Sequence, residues 1–271
     1  LGGGRLIKKN FCSLPQEVEG PAPAQLTALA RFIIVMQRKD GGFHSKYYKG
    51  IGPDKMWHSL YYPGEAMLGL ACLHDRDQDP RWLACAARAM QYLLRVRSAD
   101  KPPPPDHWAL LATQRLLPKI GQIETPRLRP EALFSHAARI CEVMIGQQNL
   151  RPEIPAVHGS FLSEGRTCPT AIRLEGLLAA RRFLPEVRRD LHRRLEKAVH
   201  LGVSFLVRTQ VKRGDLAGGI PRSAVRLPDR PEHKAFNRRV AEIRIDYVQH
   251  ALSALIAYEH AFVQNATATA P

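Results

Sequence analysis

The sequence is short of the residues that several site chemistries need. Its five cysteines, Cys12, Cys72, Cys85, Cys141 and Cys168, are an odd number with no Cys-x-x-Cys and no short Cys/His pair. That pattern argues against a disulfide framework and a structural zinc centre. No stretch reaches the roughly 18 consecutive apolar residues of a membrane-spanning helix. The aspartates of His74-Asp75-Arg76-Asp77-Gln78-Asp79-Pro80 alternate as in a calcium loop, but the central glycine and the closing glutamate are missing, so the stretch reads as a turn. Helix-turn-helix, RNA-recognition and zinc-finger patterns are missing too, so nucleic acid is supported by charge alone. Negative charge is in shortest supply: 25 Asp plus Glu stand against 40 Lys plus Arg, a net +15 with a pI near 10.0. The partner such an excess favours is anionic. No cofactor is indicated, and oligomeric state leaves no trace in the sequence.

What is present suits a packed core. Of the 271 residues, 45% are hydrophobic, enough for one domain of this length. Residues 1–23, with Gly2-Gly3-Gly4 and Pro21-Ala22-Pro23, have no period and read as a lead-in; 24–264 form the domain; the small polar residues 265–271 read as a disordered tail. The chain starts at Leu1 rather than Met, which leaves room for a removed leader or a longer upstream region. The compartment leans weakly to the cytoplasm.

Periodicity marks eight main helices of two kinds. Amphipathic ones run over about Gln25 to Gln37, Arg81 to Arg97, Pro130 to Gln148 and Glu186 to Gln210. Much of the positive charge sits in the Arg-rich helix segments Arg181-Arg182, Arg188-Arg189 and Arg193-Arg194, which on periodicity face outward and read as solvated. The others are apolar almost all round, as buried helices are: Pro63-Gly64-Glu65 into Ala66 to Leu73, Asp106-His107-Trp108 into Ala109 to Ala112, Ala171 to Ala180, and Asp246 to Leu255. Cys72, Cys85 and Cys141 lie in apolar helical patterns and read as core.

The junctions repeat. Gln37 is followed by Gly41-Gly42-Phe43, Gln147-Gln148 by Gly159-Ser160-Phe161, and Gln210 by Gly218-Gly219-Ile220. Each copy leads through a loop to an apolar helix with one ionisable residue near its start: Glu65, Glu175 or His250. Self-similarity of this kind implies a stack of helical hairpins, each covering its neighbour's apolar face.

The pairing of Gln…Gly-Gly-Phe with a Pro-Gly-Glu-Ala helix start resembles the α/α-toroid proteins over roughly residues 25–263. These include the six-hairpin glycosidases and uronate epimerases and lyases, and also terpenoid cyclases and protein prenyltransferases. The resemblance implies an all-α fold, an incomplete α/α toroid of about four hairpins with inner and outer helices. The ring is then either open or completed by hairpins upstream of Leu1. The Asp-x-Asp-Asp run of protonating terpenoid cyclases is missing, and so are the zinc ligands of prenyltransferases and lanthionine cyclases. What the resemblance leaves is a carbohydrate-active enzyme, a hydrolase, lyase or epimerase, acting on an acidic saccharide. A non-catalytic helical repeat that binds an anionic partner or completes a larger enzyme is the alternative.

In a toroid the inner-helix starts converge, which makes Glu65, Glu175, His250, His107 and Tyr247 the catalytic candidates. Glu65 and Glu175 form the natural carboxylate pair for glycoside hydrolysis. For elimination or epimerisation at a uronate, His250 or Tyr247 would remove a proton while Arg173 and Arg244 steady the enolate. Tyr62, Asp106, Trp108, Arg166 and Asp246 complete the expected substrate contacts. Trp57, Tyr47, Tyr48 and Tyr61 could stack on sugar rings, although aromatic residues also serve cores. A glutamate or aspartate in a first helical turn, Asp246 included, serves equally well as a cap or dipole partner.

Overall fold

The computed structural model describes residues 22–97, 101–124 and 126–263. Cys12, the tail over 265–271 and all but the last two residues of the lead-in lie outside them. The described chain is predominantly helical: α1 (Pro23–Val35), α2 (Tyr62–Asp77), α3 (Pro80–Val96), α4 (His107–Leu116), α5 (Pro130–Gly146), α6 (Thr167–Arg181), α7 (Arg189–Thr209), α8 (Lys234–Arg238) and α9 (Ile245–Tyr258). All eight expected helices are present, and α8 is a short addition inside the basic loop. Strands β1 (Tyr47–Tyr48) and β2 (Gly52–Pro53) pair antiparallel within the aromatic loop. Among the described residues, no helix is long and apolar enough to cross a membrane.

Helix starts follow prolines and aspartates. Proline sits in the first turn of α1, α2, α3 and α5, where its fixed φ suits the helix and its missing N–H is no loss. Asp79 caps α3 by accepting from Arg81 N–H at 3.0 Å, and Asp106 caps α4 by accepting from Ala109 N–H at 3.1 Å. The turn expected over His74 to Pro80 is shorter than its composition suggests, because α2 continues to Asp77 and only Gln78 (φ 57°) and Asp79 connect. His74 and Arg76 suit the negative end of that helix. Asp77 then holds the Trp82 indole N–H at 2.9 Å, tying α2 to α3.

The repeated Gln/Gly junction is a physical latch. Gln37 Nε2 donates to the Gly41 carbonyl (3.1 Å) and across to the Cys85 carbonyl of α3 (2.9 Å). Gln148 Nε2 does the same with Gly159 (3.0 Å) and with Ala198 of α7 (2.8 Å). Gly41 and Gly159 sit at φ +92° and +90°, and a Cβ on either would collide with a carbonyl of the clasped helix, that of Arg88 or Leu201. Only glycine fits both demands. The aligned glutamine of the second copy is therefore Gln148, while Gln147 accepts from Arg173 at 2.8 Å. The third copy makes the same turn, with Gly218 at φ +91° and Val211 N–H donating to the Gly219 carbonyl at 2.9 Å. Among the described residues its Gln210 Nε2 reaches only the Gly218 carbonyl, at 3.4 Å, and beyond the chain neighbours no described atom lies within 4 Å of where a Gly218 Cβ would be. The apolar residue that closes each copy, Phe43, Phe161 or Ile220, is buried.

The apolar helices pack in a row, α2 on α4, α4 on α6 and α6 on α9, while α3 backs α2 and α7 backs α6. Helix α6, covered by α4, α7 and α9, buries 11 of its 15 residues as an all-round apolar sequence should, but α9 corrects the expectation of a buried helix: it buries only Tyr247, Ala251 and Ala254 and leaves Leu252 and Ile256 exposed. Met67, Leu70, Leu110, Leu174 and Leu177 are fully buried, each contributing about 1.5–3 kcal/mol. Helix α7 instead buries one stripe, and its outward Arg193 and Arg194 share Asp190, at 3.7 and 3.6 Å. One core expectation is corrected: Cys85 and Cys141 are buried, but Cys72 faces outward from α2.

Candidate functional site

Helix α4 enters the row between two glycines. A methyl group at Gly64 would sit 2.6 Å from Trp108 Cβ, and one at Gly176 would sit 2.8 Å from His107 Cβ. The bare backbones of α2 and α6 thus admit the first turn of α4 and place His107 beside α6. Glu175 precedes Gly176, and its carboxylate meets His250 of α9, with Nδ1 3.1 Å from Oε2 and 3.3 Å from Oε1. The His250 ring stands edge-on to that of His107 at a centroid distance of 6.4 Å. His107 in turn lies against Trp108 (4.8 Å) and Tyr61 (5.8 Å).

The two histidines are driven apart in basicity. The hydrogen bond to Glu175 raises the pKa of His250 against an opposing effect of burial. Burial pushes His107 down to about 3, helped by the positive charges of His250 and Arg173. Both ring nitrogens of His107 lack a hydrogen-bond partner among the described residues. Glu175 is 8% exposed, whereas the His250 side chain is 19% exposed, so the histidine is the member of the pair that solvent reaches more readily. With Nδ1 committed to Glu175, Nε2 is the nitrogen left for an incoming group.

Further toward the starts of the same helices lies a cavity of about 290 Å³, lined by Arg166, Cys168, Pro169, Arg222, Arg239, Arg244 and Tyr247. Cys168 and Glu175 are seven residues apart on one face of α6, which puts the cavity about 10 Å from the Glu175–His250 pair along the helix. Arg166, Arg244 and Tyr247 were expected near a site from sequence. Arg222 and Arg239 were not, because isolated antiparallel bridges between Arg166 and Ser223 and between Pro221 and Ile243 draw three distant segments together. The only local signal was the basic character of the loop. The Cys168 thiol is pushed up to about 11, mainly by burial, which makes it a poor nucleophile.

The remaining candidates are dispersed. Glu65 stands at the surface in the first turn of α2, its pKa raised by partial burial and then by the negative charge of Asp106. No hydrogen bond joins it to Glu175 among the described residues. Asp106 is completely buried, paired with Arg97 at 2.7 Å and spent on its cap, so its position is that of a structural group rather than a substrate contact. Arg173 is also buried, donating to the Phe161 carbonyl (3.0 Å) and to Gln147, which ties α6 to the second latch instead of presenting the guanidinium to a ligand. Asp246 is not the cap of α9; it lies inside the first turn and pairs with Arg244 at 3.0 Å. Tyr62 is 43% exposed and meets Trp57 edge-on, with Tyr47 and Tyr48 exposed in the same loop.

A larger cavity, about 760 Å³, lies elsewhere, near the opposite ends of α2 and α4, with Cys72, Arg115 and Lys119 in its lining. Two of the three cations that line it, Arg115 and Lys119, are paired with Asp75, the third is Arg182, and none of the expected site residues lines it. Size alone therefore does not identify the site. The chain matches no family model, no curated protein and no solved structure.

Proposed function

We propose that the chain is a carbohydrate-active enzyme of the α/α-toroid kind, an incomplete ring of hairpins acting on an acidic saccharide. Elimination or epimerisation at a uronate is the favoured chemistry. The observation that carries this reading is the Glu175–His250 hydrogen bond beside a buried, neutral His107. A carboxylate that orients a histidine and raises its basicity makes a general base, and such groups contribute about 10²–10⁴-fold to rate. His250 Nε2 takes the proton on the carbon next to the substrate carboxylate. In elimination the electron pair forms the carbon–carbon double bond as the bond to the leaving oxygen breaks, and that oxygen takes up a proton. In epimerisation a proton returns to the opposite face. Hydrolysis by Glu65 and Glu175 together is less favoured, because Glu175 is engaged with His250.

The test is turnover on acidic polysaccharides, reading ultraviolet-absorbing unsaturated ends for elimination, solvent deuterium uptake for epimerisation and reducing ends alone for hydrolysis. Glu175→Gln and His250→Gln should each lower turnover by about 10²-fold or more with the helical circular-dichroism signal unchanged. Binding of acidic polysaccharide without turnover under any of these assays would replace the enzyme with a helical binding scaffold.

A further inference from the structure

The cavity between the starts of α6 and α9 has a charge distribution that the Glu175–His250 pair does not explain. Four arginines line it, and three carboxylates stand near them. Glu164 lies 3.3 Å from Arg166 Nε, Glu242 pairs with Arg239 (2.5 Å) and sits 3.9 Å from Arg244, and Asp246 is 3.0 Å from Arg244. Arg222 is the exception. Among the described residues it has no carboxylate within ion-pair distance; its guanidinium meets the Phe236 ring (4.9 Å), makes a long approach to the Phe236 carbonyl (3.5 Å) and reaches Glu242 only through space, adding to Arg239 and Arg244 in lowering that carboxyl's pKa. Arg166 Nε is buried and donates no aligned hydrogen bond despite its neighbour Glu164.

The backbone adds to the positive field. Arg166 and Arg244 are the residues that precede α6 and α9, and neither helix start has a side-chain cap. Two helix N-termini therefore open beside one small cavity, each carrying partial positive charge, although at α6 the Thr167 N–H is already donated to the Arg222 carbonyl at 3.1 Å and Pro169 has no N–H. Guanidinium groups supply paired donors matched to two oxygens of an oxyanion. Tyr247, under the Arg244 guanidinium at 5.2 Å, forms part of the cavity wall.

We infer that this cavity is an oxyanion-binding site whose principal cation is Arg222, which among the described residues has no ion-paired carboxylate, and that it takes the carboxylate or sulfate of an acidic sugar unit about 10 Å from the one facing His250. The oxyanion site stands on its own geometry; the identity of the anion as part of a saccharide rests on the proposed function. Cys168 and Pro169 form an apolar side of the cavity and leave a planar or tetrahedral anion as the matching occupant, in place of an extended hydrophobic group.

The experiment is titration calorimetry of the whole chain with sodium sulfate, sodium acetate, galacturonate and neutral galactose, ionic strength being held constant with sodium chloride. Sulfate and galacturonate should bind and galactose should not. Arg222→Ala should weaken both by tenfold or more, while Arg193→Ala on the exposed face of α7 leaves them unchanged. Arg222→Lys, which keeps the charge and loses the paired donors, should fall between. Glu175→Gln should retain anion binding even where it abolishes turnover, which separates this site from the catalytic reading. Binding of sulfate and acetate but not galacturonate would uphold the oxyanion site and overturn its assignment to a sugar acid. No sulfate binding by the wild type, or equal binding by Arg222→Ala, would overturn the site itself.

Discussion

Gly64 and Gly69 lie on the same helix, yet the same substitution should act on them with opposite sign. A methyl group at Gly69 meets nothing within 4 Å, so Gly69→Ala gains only helix propensity, about 0.5–1 kcal/mol. At Gly64 the methyl would lie 2.6 Å from Trp108 Cβ and 2.8 Å from both Ala109 N and Trp108 C. Carbon atoms settle at about 3.5–4.0 Å, so α2 and α4 would have to part by roughly 1 Å. Overpacking of that kind costs about 1–3 kcal/mol, and after the propensity gain a net loss of up to about 2.5 kcal/mol remains. At about 2–4 °C per kcal/mol for a domain of this size, Gly69→Ala should raise the melting temperature by about 1–4 °C and Gly64→Ala should lower it by up to about 10 °C. Gly176→Ala presses on His107 Cβ at 2.8 Å and Cα at 3.0 Å. It should therefore destabilise and also shift His107 away from His250. Thermal unfolding followed by far-ultraviolet circular dichroism measures all three. Shifts of the same sign for Gly64→Ala and Gly69→Ala would refute the close approach of α2 and α4, and with it the placement of His107.

Two other outcomes follow from buried polar groups. Gln148→Ala removes the donor from two carbonyls, those of Gly159 and Ala198, at about 1–3 kcal/mol for each one left dry. The matching Gln210→Ala, which loses two long, exposed bonds, to the Gly218 carbonyl and from Lys212 Nζ, both 3.4 Å, should stay within about 0.5 kcal/mol; equal shifts in urea midpoint would refute the latch. His107 and His136 are each pushed down to about 3, chiefly by burial. A depressed histidine pKa means that the unfolded chain binds the proton first, so stability is fully present above about pH 6.5 and falls as the pH drops toward 3, by about 2 kcal/mol per histidine at pH 5. His136→Leu should shrink the difference between urea midpoints at pH 7.5 and pH 5, and an unchanged difference would show that His136 is not buried in its neutral form.

Local signals carried much of the helical architecture. Pro63, Pro80 and Pro130 stand in first turns, and the apolar runs after Glu65 and around Glu175 are the helices covered on several sides. The Gln/Gly repeat was legible because a glutamine, a turn and a glycine at positive φ all act within a few residues of one another. Tertiary structure decided the rest. Sequence spacing put Glu65 and Glu175 in equivalent places, but Glu175 is buried against His250 while Glu65 remains at the surface. Asp106 and Arg173 looked available and are consumed by Arg97, by the α4 cap and by the second latch. Arg222 and Arg239 join Arg166 and Arg244 only because backbone bridges close over long sequence separations. The position of His107 depends on side chains that Gly64 and Gly176 do not have. A periodicity reads the residues that are present along one helix, whereas close helix approach depends on matched gaps in its neighbours, and those are defined only when the helices meet.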